Sequence, residues 1–218
     1  NIKHLIYASS SSVYGSNQEL PFREESNINH PISLYAATKR SNELMAHSYS
    51  HLYNFAVTGL RFFTIYGPWG RPDMAPMIFS KAILNGETIN LFNYGNMKRD
   101  FTFIDDAVEC IIRCCDKLAI PDPKFDKSYP NPSTSFCPYR VFNVCNNKAE
   151  DIIDFLKTLE KALGKKAIIN KKGMQPGDVK DTLGDNKLLE SWIKFRPNTP
   201  LKNGIKLFAE WYLKYSKN

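Results

Sequence analysis

The chain has 218 residues, of which 43% are hydrophobic, and a formal net charge of +7 at pH 7. This length suffices for one full domain or two small ones, and the hydrophobic content excludes a disordered chain. No apolar stretch approaches the roughly 18 residues that a membrane-spanning helix needs, and no signal peptide is visible. The composition therefore predicts a globular protein with no membrane partner.

Strands and helices alternate along the first two thirds of the chain. In order, the patterns predict a strand at 3–8, a helix at 34–53, a strand at 55–62, a helix at 75–85, a strand at 88–92, a helix at 104–117 and a strand at 141–144. Five prolines between 119 and 138 predict a loop in that segment.

The last third of the chain adds two predicted helices. Apolar residues from Ile152 to Leu163 recur on one helical face, and Asn147 with Glu150 is a candidate cap for the start of this helix. Residues 201–216 form the second helix. The alternation of strands and helices predicts an α/β fold with a largely parallel sheet.

The helix at 34–53 carries Tyr35 and Lys39, which share one helical face because they are four residues apart. A neighbouring ammonium favours the ionised phenol, which can act as a general base. The same spacing from Tyr94 to Lys98 lies in a segment typical of a turn. Ser9–Ser12 end the first strand, and ligands bind at the carboxyl ends of parallel strands. We therefore expect the site where these serines meet the Tyr/Lys pair.

The charge pattern and the cysteines limit the choice of partners and compartment. Lysines concentrate at 161–172, which indicates either a solvated surface or attraction to an anionic small molecule. Nucleic acid is not expected, because no aromatic residues interleave with these lysines. The five cysteines have neither zinc-site nor disulfide-framework spacing, so we expect no metal and a reducing, cytoplasmic location.

Six motifs follow one another along nearly the whole chain. They are Tyr7–Gly15, Tyr35–Lys39, Leu60–Pro68, Gly70–Ala75, Arg99–Asp106 and Gln175–Val179. Together they resemble the extended short-chain dehydrogenase/reductases that act on nucleotide sugars, and most of all the UDP-glucuronate 4-epimerases. The resemblance implies an NAD-dependent isomerase of carbohydrate metabolism that converts UDP-glucuronate to UDP-galacturonate through a 4-keto intermediate.

The family's opening strand, glycine-rich turn and helix have no counterpart here, since Gly-x-x-Gly-x-x-Gly does not occur. The resemblance then implies a C-terminal portion with an incomplete Rossmann-type sheet and a smaller α/β substrate-binding domain. Residues 1–66, with return segments near 101–118 and 139–146, would supply half of the dinucleotide-binding domain. Residues 67–218 would mainly bind the UDP-sugar. Without the glycine-rich turn the NAD site would be incomplete and this piece alone inactive.

The resemblance also assigns catalytic roles. Tyr35 would take the proton of the sugar 4-hydroxyl, Lys39 would assist it and hold the nicotinamide ribose, and Ser10 would hydrogen-bond O4. The alternative for Ser10 is a strand-end serine that satisfies local backbone groups. Related 4,6-dehydratases have Asp and Glu at the positions of Ser11 and Ser12. Related uronate decarboxylases have Glu at the position of Ser12. Serine cannot replace a carboxylate base, which favours epimerisation.

The same resemblance assigns eight residues to the substrate, namely Ser11, Ser12, Thr64 and five others. Arg99 would clamp the UDP diphosphate, for which a planar guanidinium is suited. Arg71 would contact either the nucleotide phosphate or the uronate carboxylate. Asn90 and Phe92 would present backbone groups to uracil, and Asp178 would contact the uridine ribose.

Phe62, Phe63 and Thr64 would line the nicotinamide and sugar pocket, although plain core packing is the alternative for both phenylalanines.

Two other functions stay open, namely a different UDP-sugar epimerase or reductase of the same family and a non-catalytic UDP-binding fragment. Family members pair two helices per subunit in a four-helix bundle, and the helix at 34–53 would supply one. The full-length protein is therefore expected to be a homodimer.

Overall fold

A computed structural model describes residues 2–217 of the chain. Its elements alternate as the sequence predicts, with short additional strands between the predicted ones. Along the chain they are β1 (His4–Ser10), α1 (Leu34–Tyr53), β2 (Ala56–Phe62), β3 (Thr64–Tyr66), α2 (Ala75–Asn85), β4 (Thr88–Leu91), β5 (Lys98–Phe103), α3 (Ile104–Cys115), β6 (Tyr139–Val144), β7 (Ala149–Asp151), α4 (Ile152–Leu163), β8 (Ile168–Lys171), α5 (Lys187–Ile193) and α6 (Leu201–Tyr215).

A parallel sheet of three strands, in the order β1–β2–β6, forms the first layer. Its two faces bury alternate residues of the strands against helices, as the period of two in a strand requires. Val57 packs on one face with Ala46 of α1, and Leu60 packs on the other with Cys110 of α3. The predicted α/β fold is thus confirmed. Because the strands run the same way, their carboxyl ends meet at one edge.

A second core lies under α2, α4 and α6. The rings of Phe101 on β5 and Phe155 on α4 stack there with centroids 4.6 Å apart, and Phe208 of α6 belongs to the same cluster. Strand β5 pairs with β3 and β7, and β4 pairs with β8 in a separate two-stranded sheet. This part contains most of residues 67–218, whose role as a UDP-sugar-binding domain stays a prediction.

The predicted helices at 34–53 and 75–85 are confirmed at both ends, and 119–138 contains no helix or strand. The predicted cap from Asn147 and Glu150 is wrong. Glu150 instead lies in β7, where it pairs with Arg99 of β5, and α4 begins only at Ile152. Glu150, which the sequence pattern assigned to a helix start, therefore lies in a strand because β7 pairs with the edge of β5. Within residues 2–217, no helix combines the length and apolar character needed to cross a membrane.

Candidate active site

A cleft of about 640 Å³ opens at the carboxyl ends of β1 and β2, between the parallel sheet and the second core. This volume lies in the usual range for small-molecule sites, about 300–1,000 Å³. Most of the residues singled out from the sequence line it. They are Ser10, Ser11, Ser12, Tyr35, Lys39, Phe62, Phe63, Thr64, Arg71, Arg99 and Asp178.

Tyr35 and Lys39 stand on the first turns of α1, whose start is fixed by a side-chain cap. The Ser33 hydroxyl accepts the backbone N–H of Ala36 at 3.1 Å. The Lys39 Nζ donates to the carbonyl oxygen of Ala8 at 3.0 Å and lies 5.8 Å from the centre of the Tyr35 ring. The lysine thereby ties α1 to β1 and places its charge beside the phenol, while Tyr35 stays 51% exposed to the cleft.

The serines turn away from β1 in a short 3-10 helix, Ser11–Tyr14. Ser10 caps it, since its hydroxyl accepts the backbone N–H of Ser12 and donates to the Ser12 hydroxyl, both at 3.2 Å. Ser10 therefore satisfies a local backbone group and also lines the cleft. Gly15 ends the 3-10 helix at φ +56°, where a Cβ would overlap the carbonyl oxygen of His30, so the turn requires glycine.

Arg99 and Asp178 form an ion pair at the other end of the cleft, with 2.9 Å between Nη2 and Oδ1. The Nη1 group donates to the carbonyl oxygens of Lys98 and Lys180 at 2.9 and 2.8 Å. Burial lowers the pKa of Arg99, but the carboxylate of Asp178 opposes this effect. Among residues 2–217, the Nε–H of Arg99 has no acceptor. A fixed cation with a free donor can bind a phosphate.

Arg71 lies in the loop after β3, where it is exposed and paired with Asp73 at 3.1 Å. Phe63 is buried and packs with Tyr14 and Phe22, so it serves the core as well as the cleft wall. Phe62 is half-buried against the α3 side of the sheet. Core packing, the alternative expected from the sequence, thus accounts for part of the role of both phenylalanines.

Asn90 and Phe92 lie outside the set of residues that line the cleft. Asn90 is exposed on β4, and its side-chain oxygen accepts the amide of Asn170 on β8 at 3.1 Å. Phe92 follows β4 in a short segment in which Tyr94 has a left-handed backbone, which explains why Tyr94 and Lys98 share no helical face. A role for Asn90 and Phe92 toward uracil stays a prediction.

Sequence reasoning missed two fully buried charges beneath the cleft, Glu43 of α1 and Arg61 of β2. The Nε and Nη2 groups of Arg61 donate to the two carboxylate oxygens at 2.8 and 3.0 Å. Burial by itself would raise the pKa of Glu43, but the Arg61 charge and its hydrogen bonds hold it below the usual range. The available signal was an arginine as the one charged residue of a predicted buried strand, since a buried arginine needs an acidic partner.

A parallel sheet whose carboxyl edge presents serines to a Tyr/Lys helix is the arrangement of the extended short-chain dehydrogenase/reductases. Residues 1–124, more than half of the chain, match the model of the NAD dependent epimerase/dehydratase family. The chain belongs to this family.

Two similar proteins and one solved structure give the extent of the likeness. Protein CapI from Staphylococcus aureus is 52% identical over 217 residues, which are 100% of this chain and 65% of the relative. A probable UDP-glucuronate 4-epimerase from Rhizobium meliloti is 45% identical over 214 residues, 96% of this chain and 62% of the relative.

The solved structure is that of UDP-glucuronic acid 4-epimerase from Bacillus cereus in complex with UDP-glucuronic acid and NAD. It has a TM-score of 0.83 and 28% identity, and the match covers 99% of this chain and 63% of that protein. The predicted family and the Rossmann-type fold are confirmed by these comparisons. The chain spans less than two thirds of the length of each of the three proteins.

Proposed function

We propose that the whole protein that carries this chain is an NAD-dependent epimerase at C4 of a UDP-sugar, with UDP-glucuronate and UDP-galacturonate as its pair. The observation that carries the proposal is that one cleft joins the Tyr35/Lys39 pair, the serines after β1, and the Arg99–Asp178 pair. The names of the relatives from Rhizobium meliloti and Bacillus cereus support the choice of sugar.

The nucleotide would bind at the end of the cleft that holds Arg99 and Asp178. The Nε–H of Arg99 is the donor offered to the diphosphate, and Asp178 can accept from a ribose hydroxyl through its second carboxylate oxygen. Arg71 adds a cation at the rim, within reach of a phosphate or of the uronate carboxylate. With UDP bound at this end, the sugar would extend along the cleft toward Ser10 and Tyr35.

The proton chemistry belongs to Tyr35. In the proposed reaction its phenolate takes the proton of the 4-hydroxyl as C4 is oxidised, and returns it when C4 is reduced on its other face. The Ser10 hydroxyl, now turned to Ser12, rotates to donate to O4. Lys39, held by the carbonyl of Ala8, keeps its ammonium beside the Tyr35 ring. Ser11 and Ser12 offer hydrogen bonds and no carboxylate, so elimination of water lacks its base.

The residues of this chain fit one end of a dinucleotide. Lys39 has one acceptor among the described residues, which leaves two N–H donors for a ribose, and the rings of Phe62 and Phe63 line the cleft. No glycine-rich turn for the pyrophosphate occurs in the sequence. When NAD is bound, it would supply the acceptor and donor of the C4 hydride. The residues named here would hold its nicotinamide side only.

The proposal includes a homodimer of the whole protein. Helix α1 exposes a set of large apolar side chains that a second helix pair could cover. They are Leu34, Leu44, Met45, Tyr49 and Leu52. Sedimentation of the whole protein and of a Met45→Glu/Leu52→Glu variant tests this part, with a dimer expected for the first and a monomer for the second.

Product analysis tests the activity. The whole protein is incubated with NAD and UDP-glucuronate, UDP-glucose or UDP-N-acetylglucosamine, and NMR identifies the products. We expect UDP-galacturonate from the first and slow or no conversion of the others. Faster conversion of a neutral sugar would reject the substrate, and a reduced or dehydrated product would reject the reaction.

Calorimetry on this chain alone should show at most weak UDP binding, and tight NAD binding would contradict an incomplete cofactor site.

A further inference from the structure

The buried ion pair of Glu43 and Arg61 connects the elements that carry the site residues. Both side chains have no exposed surface. A buried ion pair contributes little net stability, because the loss of hydration offsets the attraction, and apolar residues of similar volume often serve the fold as well. The reason for two charges here must therefore lie in what their hydrogen bonds hold in place.

On the side of Glu43, these bonds fix α1 along β1. The carboxylate accepts the Ser9 hydroxyl at 2.6 Å, and Ser9 directly precedes Ser10. One helical turn earlier, the Nζ of Lys39 donates to Ala8 of the same strand. Two successive turns of α1 are thus attached to two successive residues of β1. Sliding of the helix, and with it of Tyr35, would break both attachments.

On the side of Arg61, the bonds fix the 3-10 helix of the serines. The Nη1 group donates to the Tyr14 hydroxyl and to the carbonyl oxygen of Glu24, both at 3.1 Å. Tyr14 is the last residue of the 3-10 helix, and its hydroxyl donates to the side chain of Asn143 on β6 at 2.6 Å. One guanidinium thus joins α1, the 3-10 helix and two strands.

We propose that Glu43 and Arg61 are positioning residues that set the placement of Tyr35 relative to Ser10 and Ser12. The proposal rests on the proposed function for its effect on turnover, and on the geometry alone for its effect on α1. Misplacement of a reacting group by about 1 Å can slow a reaction about 100-fold. Four hydrogen bonds from one rigid guanidinium can prevent such a shift, whereas apolar contacts would permit it.

The test replaces the pair by apolar residues in the whole protein, Glu43→Leu with Arg61→Met. Arg40, whose side chain is 20% exposed, loses its pairing with Glu43 (3.2 Å between Nη1 and Oε2), so the midpoint of urea unfolding should fall, but by less than in Glu43→Leu alone, which also leaves Arg61 unpaired. We expect kcat for UDP-glucuronate to fall about 100-fold at an unchanged KM, and crystal structures to show α1 displaced along β1 by about 1 Å. The matched control, Glu109→Leu with Arg113→Met, removes a half-exposed pair on α3 and should keep kcat and the position of α1.

Each outcome decides the proposal. A kcat like that of the parent overturns it, whether or not α1 moves, and so does a lost kcat with α1 in its original place. If the parent converts no UDP-sugar, the proposed function fails, and the position of α1 in the double variant alone decides whether the pair positions Tyr35.

If the double variant does not fold, Tyr14→Phe removes one hydroxyl and keeps the ring stacked on Phe22, 4.7 Å between centroids. We then expect about a tenfold loss of kcat. The unfolding midpoint should fall as well, because the Asn143 side-chain oxygen loses its donor. An unchanged kcat in this folded variant overturns the proposal.

Discussion

The two ends of the cleft are built in different ways. At the end of Tyr35 and Ser10, the supporting polar groups are fully buried and satisfied by one another, with Arg61 at their centre. At the end of Arg99 and Asp178, one partly exposed ion pair joins strand β5 to the irregular segment of Asp178, next to a stretch from 168 to 177 in which every residue is exposed. The difference teaches that buried polar contacts fix the geometry of the first end, whereas the second end keeps polar groups open to solvent, as the proposed nucleotide site requires.

If this comparison is right, the largest effect on turnover comes from a change that moves no atom of the scaffold. Tyr35→Phe should lower kcat of the whole protein by about 10²–10⁴-fold, because it removes the general base. Tyr35 is 51% exposed, so stability should stay within about 0.5 kcal/mol. Kinetics and calorimetry with UDP check both parts. Retained turnover, or a loss of UDP affinity as large as the loss of kcat, would reject the assignment.

The next effect concerns stability at the same end. Glu43→Ala leaves the guanidinium of Arg61 buried without its partner, which should lower the free energy of unfolding by about 3–5 kcal/mol. Urea denaturation measures the loss. The control is Glu109→Ala, whose pair with Arg113 is half exposed and should cost less than about 1 kcal/mol. Similar losses in the two variants would show that burial of the pair does not matter.

At the nucleotide end the expected effect is on affinity. In the whole protein, Arg99→Met should weaken UDP binding by about 10- to 100-fold. This change in affinity corresponds to the loss of one or two charged hydrogen bonds. Calorimetry with UDP measures it, and the control is Arg196→Met, which removes an exposed cation that follows α5 and is not part of the cleft lining. Unchanged affinity in Arg99→Met would move the nucleotide out of this end of the cleft.

The smallest effect depends on pH. Burial raises the pKa of Glu24 to about 7, although the backbone N–H of Asn143 lowers it. The native state therefore holds a proton that the unfolded chain releases near pH 4.5, and this group lowers stability as the pH rises from about 4.5 to 7. Glu24→Gln should raise the free energy of unfolding at pH 8 by about 1–3 kcal/mol and leave it nearly unchanged at pH 4.5.

Unfolding of the parent and of Glu24→Gln at both pH values checks this prediction. A stabilisation of equal size at pH 4.5 and pH 8 would contradict it, because the effect would then not come from the charge. Glu25→Gln, at the exposed neighbouring position, is the matched control.

The sequence predicted the elements that carry strong local signals. The helices at 34–53 and 75–85 have clear boundaries, and the carboxyl-end rule for parallel strands brought the serines and Tyr35 into one site. It did not predict β8, in which all four residues are exposed, because that strand exists by pairing with β4 some 80 residues away.

The part of the site that local patterns missed is long-range in the same sense. Glu43 and Arg61 are 18 positions apart, and Tyr14 and Asn143 are 129 apart, so neither contact follows from spacing within one element. Asn90 and Phe92 differ, since the family resemblance assigned them to uracil and the fold leaves them outside the cleft lining, so their role stays a prediction. Motifs identify residue types, but the sheet order decides which of them meet.

The most direct measurement is NMR of the whole protein acting on UDP-glucuronate in D₂O. Removal and return of a hydride at C4, with Tyr35 moving only the hydroxyl proton, predicts UDP-galacturonate that keeps its original hydrogen at C4. Deuterium at C4 would mean that the enzyme abstracts the carbon-bound proton instead, and it would contradict the role given to Tyr35 and the cleft around it.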